Sequence, residues 1–316
     1  MDKKLIDEIV KKIEEYKEIA IYRHVMPDPD SYGSSNGLKD IILNSFKDKN
    51  VYLMGEHSDR LSYIGETDNV KLKDPKNTLA IVLDVSNAER VDDQSFLDCD
   101  YIIKIDHHKP FTEPFENLIF VDTNYSSCSE MILDILLNST KELKISKKGR
   151  EALYAGIIGD TGRFLYLDNP TSLLEKLPKI TFDIEAKPIY REMYKKKKEE
   201  LQVLGYIYGN FKITQNGVAY LKVPYETVKE FNLEPIQVAR MVNSLADLEN
   251  IKNWVFFAEK ENGEIFGEFR SNGPVVNDIA FKYGGGGHAL AAGATIKDWD
   301  TVSKMLEDFD TNCKNN

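Results

Sequence analysis

The sequence is short of several things, and each shortage excludes something. It has three cysteines, Cys99, Cys128 and Cys313, odd in number and scattered. That argues against a disulfide framework and equally against a thiolate zinc site. No apolar run approaches the roughly 20 residues needed to cross a bilayer, so no membrane association is expected. The opening Met1-Asp2-Lys3-Lys4-Leu5 leads into a Lys/Glu-rich helical pattern and not into a signal-peptide core, and a cytoplasmic location is expected by default. Basic residues are outnumbered, 41 Lys and Arg against 52 Asp and Glu, for a net charge of −11. Tight binding along a long nucleic acid needs a basic surface that releases many counterions, so no long nucleic-acid track is expected. A small anionic ligand is still compatible, because bound metal ions reverse the field locally. Internal repeats and low-complexity tracts are missing too. Histidine is the last scarcity: there are five, so their placement is informative.

What is present divides into two parts. A chain of 316 residues exceeds one average domain, and its 42% apolar and 29% charged residues suit soluble globular cores. Residues 4–17 carry apolar side chains at helical spacing. Short β-rich runs follow at 19–22, 51–54, 79–83 and 101–105, with a helical stretch at 37–46 between the first two. Helical pattern then covers 129–137 and 148–158. Brief apolar runs separated by turns and helices predict buried parallel strands in a doubly wound sheet. The segment 189–208 contains Lys195-Lys196-Lys197-Lys198 followed by Glu199-Glu200 and predicts an exposed connecting helix whose lysines form a solvated face. Beyond it, 211–214 and 218–223 flank Gln215-Asn216-Gly217, a hairpin signature, and 254–259 with 265–270 predict a second hairpin. The expected fold class is α/β: a doubly wound, mostly parallel sheet in residues 1–188, a linker helix over 189–209, and a smaller α/β domain over 210–316. A homodimer is compatible with the sequence.

Four clusters carry the chemistry. His24 closes the first strand and opens His24-Val25-Met26-Pro27-Asp28-Pro29-Asp30. Asp84 closes the strand at 79–83, and Asp106, His107 and His108 close the strand at 101–105. Asp160 follows the helix ending Gly156-Ile157-Ile158-Gly159. In open α/β sheets ligands bind beyond the carboxyl ends of the strands, so these groups are expected on one edge. Pro29 fixes φ and should hold the Asp28–Asp30 loop extended, letting two carboxylates address two ions. A single Asp after a strand is commonly a turn or cap residue, and Asp-His-His alone fits a capped helix start. Four clusters at consecutive sheet-edge positions are poorly explained that way. His57, in the polar stretch 55–59, reads as an ordinary surface residue. A set of two His and four Asp suits Mn²⁺ better than thiolate-seeking metals or an all-oxygen Mg²⁺ or Ca²⁺ cage. Two such ions about 3.5–4 Å apart clamp the attacking and leaving oxygens of a displacement at phosphorus, which makes phosphoester hydrolysis the natural reaction class.

The ordered set His24-x-x-x-Asp28-x-Asp30, Asp84, Asp106-His107-His108 and Gly159-Asp160-Thr161-Gly162 resembles the DHH phosphoesterase superfamily. Arg270-Ser271, with Gly284-Gly285-Gly286-Gly287-His288-x-x-Ala291-Ala292-Gly293, resembles its DHH-associated domain. Within the superfamily the length is most similar to the bacterial nanoRNases, which are both oligoribonucleases and 3′-phosphoadenosine-5′-phosphate phosphatases. The resemblance implies two Mn²⁺ ions per chain, one held by His24 and Asp28, the other by Asp30, His107 and Asp160, with Asp84 bridging both. It places His108 beside the scissile phosphate as a catalytic residue, with Asp106 orienting the histidines from behind. It assigns Arg270, Ser271, Gly285, Gly286, Gly287 and His288 to the substrate's phosphate and nucleotide. Consecutive glycines let backbone N–H groups approach an anion, and an Arg grips phosphate in bidentate fashion, so these residue types also suit that task on their own. Two departures from the pattern, Cys128 within Ser127–Glu130 and Ala289-Leu290 after His288, touch no metal ligand. Arg163 fits either a cleft-facing cation or a structural ion pair.

The implied partners are short RNA oligonucleotides and small nucleotides. A 5′-phosphorylated dinucleotide and 3′-phosphoadenosine-5′-phosphate expose the same P–O3′ bond, which rationalises a dual range. The expectation is processing of chains of about two to five nucleotides from the 5′ end to nucleoside 5′-monophosphates, longer RNA lacking a basic path. Alternatives are a phosphodiesterase for cyclic or linear dinucleotides, a family II pyrophosphatase, an exonuclease on long single-stranded DNA, and a catalytically inactive nucleotide-binding sensor. The sensor requires a lost ligand, yet all six positions are filled.

Overall fold

The computed structural model describes residues 3–68, 70–109, 115–167 and 170–315. The chain divides into two compact units, Met1–Lys195 and Lys196–Asn316. In the first, α1 (Lys3–Glu15) buries Ile6, Ile9, Val10 and Ile13 at helical spacing. Five strands follow: β1 (Glu18–Tyr22), β2 (Asn50–Leu53), β3 (Thr78–Leu83), β4 (Tyr101–Asp106) and β5 (Leu118–Val121). They form one sheet in the order β2-β1-β3-β4-β5, every pair parallel. Alternation along the strands sorts the side chains: Ile19, Ile21, Ile81 and Leu83 enter the core on one face, Ala20, Tyr22, Ala80 and Val82 the other. Six consecutive residues of β3 are buried, as a central parallel strand covered on both faces requires. The strand order reverses between β1 and β3, which creates a crevice beyond their carboxyl ends.

Three helices, α2 (Pro29–Ser45), α3 (Cys128–Asn138) and α4 (Lys147–Asp160), cover one face. The packing of α2 on α4 is close: a Cβ on Gly33 would lie 2.6 Å from the Ala152 carbonyl oxygen and 2.7 Å from Gly156 Cα. Asp28 and Asp30 do not sit on an extended loop as expected. Asp28 is the N-cap of α2, accepting from the Ser31 N–H, and Pro29 occupies the first helical turn, where its fixed φ and missing N–H favour helix initiation. Only Asp28 keeps an extended backbone; Asp30 is already helical. Short helices α5 (Thr171–Lys176), α6 (Pro178–Thr181) and α7 (Ala186–Met193) complete the unit.

The single linker helix over 189–209 is replaced by two helices. α7 ends at Met193, and α8 (Lys198–Asn210) starts after an extended Lys197. Repulsion among four successive lysines disfavours helix through that stretch, while Glu199 and Glu200 favour a start where they lie in the first turn. The unit boundary falls inside the lysine run. In the second unit, β6 (Lys212–Ile213), β7 (Val218–Val223), α9 (Tyr225–Glu230), α10 (Pro235–Ala239), β8 (Asn253–Glu259), β9 (Ile265–Ser271), α11 (Asn277–Lys282), β10 (Gly286–His288), β11 (Ala291–Ile296) and α12 (Trp299–Asn315) follow in turn. The sheet order is β10-β11-β9-β8-β7-β6, with only β7–β8 parallel. Both expected hairpins, β6–β7 and β8–β9, form. Val203 and Ile207 of α8 pack with Leu221 and Phe256 on one face, and α12 covers Val255 and Phe269 on the other.

Candidate metal centre

The carboxyl ends of β1, β3 and β4 deliver three of the clusters to the crevice. His24 lies two residues past β1 and is tied to Val91 by an isolated β-bridge. Its Nδ1 lies 2.9 Å from the Val25 carbonyl oxygen; as donor there, it leaves Nε2 with a lone pair toward Asp28 Oδ2 at 3.5 Å and Asp84 Oδ2 at 3.6 Å. Asp84 follows β3 in a left-handed backbone conformation (φ 60°) that few non-glycine residues adopt. Its other oxygen, Oδ1, is 3.4 Å from His107 Nε2, which is 3.3 Å from Asp160 Oδ2 and 4.0 Å from Asp30 Oδ2. Asp84 thus stands between two groups, His24 with Asp28 and Asp30 with His107 and Asp160. Within each group, with Asp84 counted in the first, the ligand-type atoms all lie within 4.8 Å of one another.

Asp30 is held by a helix that the sequence does not connect to it, and Cys128, expected to touch no metal ligand, contacts this one through its backbone N–H. Its Oδ2 accepts from the Cys128 N–H at 2.7 Å and its Oδ1 from the Ser129 N–H at 2.9 Å, both in the first turn of α3. Those N–H groups have no partner inside their helix, and the helix dipole adds to the attraction. Even so, burial and the negative charges of Asp84 and Asp160 push the Asp30 pKa well above the ordinary carboxylate range. Burial, with His107 opposing and Asp84 reinforcing it, pushes Asp160 up to about 6. Burial disfavours the charged ring of His24, but Asp28 and Asp84 outweigh it and raise the pKa to about 10. The same opposition, with Asp84, Asp30 and Asp160 as partners, raises His107 to about 10. Each shift says that the pocket seeks positive charge. Asp84 Oδ1 and His107 Nε2 are buried without hydrogen-bond partners. A buried hard oxygen and an imidazole nitrogen that converge with no hydrogen bond made are what a divalent cation requires, so these residues fit a metal.

The third member of the triplet behaves differently. His108 is half exposed, and its Nδ1 lies 2.8 Å from Asp106 Oδ1, which also accepts the His108 backbone N–H at 3.1 Å. Asp106 is fully buried and its Oδ2 is 3.8 Å from Lys104 Nζ, itself bonded to the Ser86 carbonyl oxygen at 3.1 Å. Among the described contacts Asp106 steadies His108 and not His107. Lys104 escaped the sequence reading because a lysine in an apolar strand gives no signal of where its head points.

In the second unit the register aligns His288 with Ala291 and Ala291 with Arg270, so His288 and Arg270 lie in one row across β10, β11 and β9. Arg270 Nη1 donates to Glu268 Oε2 at 3.0 Å and to the Phe269 carbonyl oxygen at 2.8 Å. The Ser271 N–H donates to the Leu290 carbonyl oxygen. Gly286 and Gly287 are strand residues, and the Gly285 N–H is committed to the Ala280 carbonyl oxygen at 2.8 Å. His57 pairs with Asp59 and Glu66 at the surface, 3.4 and 3.6 Å away. The Arg163 guanidinium lies over the Tyr194 ring, 4.6 Å from its centre.

A parallel sheet with a switch-point crevice lined by paired acid–imidazole groups defines an α/β protein with a candidate divalent-metal site. Residues 18–157 match the N-terminal domain of the DHH family, and residues 215–315 match the DHHA1 domain. The chain belongs to the DHH family of phosphoesterases. It is 37% identical over 309 residues to the bifunctional oligoribonuclease and PAP phosphatase NrnA of Bacillus subtilis, covering 97% of this chain and 98% of that one. It is 38% identical over 289 residues to a probable protein of the same name from Streptococcus mutans, covering 90% of this chain and 92% of the relative. Among solved structures, an exopolyphosphatase-related protein from Bacteroides fragilis superposes with a TM-score of 0.84 at 25% identity, covering 99% of this chain and 96% of that one. No helix of the described residues is long and apolar enough to cross a membrane.

Proposed function

We propose that this chain hydrolyses the P–O3′ bond of short 5′-phosphorylated oligoribonucleotides and of nucleoside 3′,5′-bisphosphates, using two Mn²⁺ ions. The observation that carries the reading is Asp84, one carboxylate with each oxygen turned to a different histidine, His24 and His107. In this reading His24 and Asp28 hold one ion, Asp30, His107 and Asp160 the other, and Asp84 both. Bound there, the pair supplies Lewis acidity at the phosphoryl oxygens and lowers the pKa of water.

The chain's own residues do the rest. The α3 N–H groups fix the Asp30 carboxylate, and the Val25 carbonyl fixes the His24 ring, so the ligand set is preorganised. Asp106 holds His108 by Nδ1, leaving Nε2 on the opposite side of the ring for a phosphoryl oxygen. Arg270, Ser271, His288 and the Gly285–Gly287 stretch take the substrate's 5′-phosphate in the second unit. A water's hydroxyl bonds to phosphorus as the P–O3′ bond breaks and O3′ takes the proton, so the phosphate stays with the downstream fragment or, in a bisphosphate, is released. An oligonucleotide then yields a nucleoside 5′-monophosphate and a 5′-phosphorylated remainder, and a bisphosphate yields a nucleoside 5′-monophosphate and inorganic phosphate. A 5′-labelled pentaribonucleotide incubated with enzyme and Mn²⁺ tests the reading: labelled mononucleotide should appear first, and shortening from the 3′ end would contradict it.

A further inference from the structure

A cavity of about 400 Å³ opens beside Asp160, within the about 300–1,000 Å³ range of small-molecule sites. Asp160, Thr123, Asn124, Ser126, Tyr166 and Ser172 are among its lining residues. Among the described residues no lysine, arginine or histidine lines it, so it offers no cationic partner to a phosphate. It offers little to a further cation either. Glu130, its other acid, already accepts from Lys176 at 2.7 Å and from the Ser126 hydroxyl at 2.7 Å. What remains, beside the two acids, is a hydroxyl- and amide-lined space with an aromatic edge.

That edge is presented by an unusual turn. Gly162, Arg163 and Phe164 have successive φ values of 54°, 62° and 70°, a run that costs backbone energy and persists where surrounding contacts impose it. The Arg163 N–H bonds to the Ile158 carbonyl oxygen at 3.0 Å and the Tyr166 N–H to that of Thr161 at 3.1 Å. The Tyr166 ring lies over Gly162, where a Cβ would sit 2.3 Å from it, and the side chain is still 73% exposed. A large ring held in place yet left open to solvent is a stacking platform.

We propose that this cavity binds the nucleoside downstream of the scissile phosphate, its base stacked on Tyr166. The inference rests on the phosphoester reading above: the cavity shares Asp160 with the candidate metal group, and that reading assigns the upstream 5′-phosphate to the second unit, which leaves the downstream substituent for this cavity. It separates the two substrate classes: a dinucleotide carries a nucleoside on that side, whereas a 3′,5′-bisphosphate carries only oxygen.

The test is the ratio of kcat/KM for a 5′-phosphorylated dinucleotide to that for the matching nucleoside 3′,5′-bisphosphate, in the full chain with Mn²⁺. Tyr166→Ala should lower the ratio by about 5- to 150-fold, the span for losing a base-stacking aromatic, and Tyr166→Phe should retain it. A dinucleotide lacking its downstream base should be a poorer substrate for the wild type and indifferent to Tyr166→Ala. An unchanged ratio, or an equal fall on both substrates, overturns the subsite while leaving the phosphoester reading intact. A wild type that turns over neither compound overturns that reading, and this one with it.

Discussion

Replacing Gly33 with Ala adds one methyl group at the crossing of α2 and α4. The new Cβ would meet Ala152 O at 2.6 Å, Gly156 Cα at 2.7 Å and Gly156 N at 2.8 Å, about 0.6–0.8 Å inside the 3.4 Å where ordinary contact begins. All three are backbone atoms, so no side chain can rotate away and the helices must separate. Overpacking of this kind costs about 1–3 kcal/mol. The better helix propensity of alanine returns about 1 kcal/mol, leaving a net loss of up to roughly 2 kcal/mol. For a unit of this size that lowers Tm by up to about 8 °C. The functional effect should be larger. α2 carries Asp28 and Asp30, α4 ends at Asp160, and a misplacement approaching 1 Å costs on the order of 10- to 100-fold in rate. Calorimetry on the first unit's transition and kcat at saturating Mn²⁺ read the two effects separately. Gly205→Ala in α8 is the control: no atom lies within 4 Å of its Cβ position, so it should stabilise by about 0.5–1 kcal/mol. A Gly33→Ala protein with unchanged Tm and kcat would refute the claim that this crossing sets the site's geometry.

Asp84→Asn keeps the side chain's shape and tolerates the left-handed backbone that alanine would strain. It should fold, lose Mn²⁺-dependent turnover, and lose the stabilisation that Mn²⁺ is expected to give the wild type, about 2.7 kcal/mol at a hundredfold excess over Kd and read as a rise in Tm. Near-wild-type turnover would defeat the bridging role. In the second unit, burial works against the charged form of Asp310, but hydrogen bonds from Thr214 and Asn216 hold its pKa below the usual 3.8. A depressed folded-state pKa stabilises above the unfolded value and is lost as pH falls through the folded one. The Tm gap between wild type and Asp310→Asn should therefore be present at pH 7 and close as pH drops below 3.8; a gap independent of pH would refute it.

Local features were legible because their causes are local. The runs at 19–22, 79–83 and 101–105 are strands because apolar residues fill both faces of a covered parallel sheet, and both hairpins follow from turn chemistry between alternating runs. The ligand-type residues were legible because each lies at a strand or helix end, where an α/β sheet exposes chemistry. Two local readings still failed, and for local reasons. Pro29 was taken to stiffen a loop, but the same fixed φ starts a helix once Asp28 caps it. The lysine run suggests a continuous helix face, yet the helix ends at Met193 and a second begins at Lys198.

The Asp-His-His string and its companions were determined by the sequence alone, down to the residue types a hard divalent metal wants. The family resemblance already implied how they divide; what only the tertiary structure supplies is the distances between them. Parallel pairing of β1, β3 and β4 turns one Asp84 oxygen to each of two histidines, and the first turn of α3, about a hundred residues along the chain, locks Asp30. The open Tyr166 ring beside Asp160 belongs to the same category. Spacing along a chain specifies which groups are available; their mutual distances come from helices and strands that meet through packing.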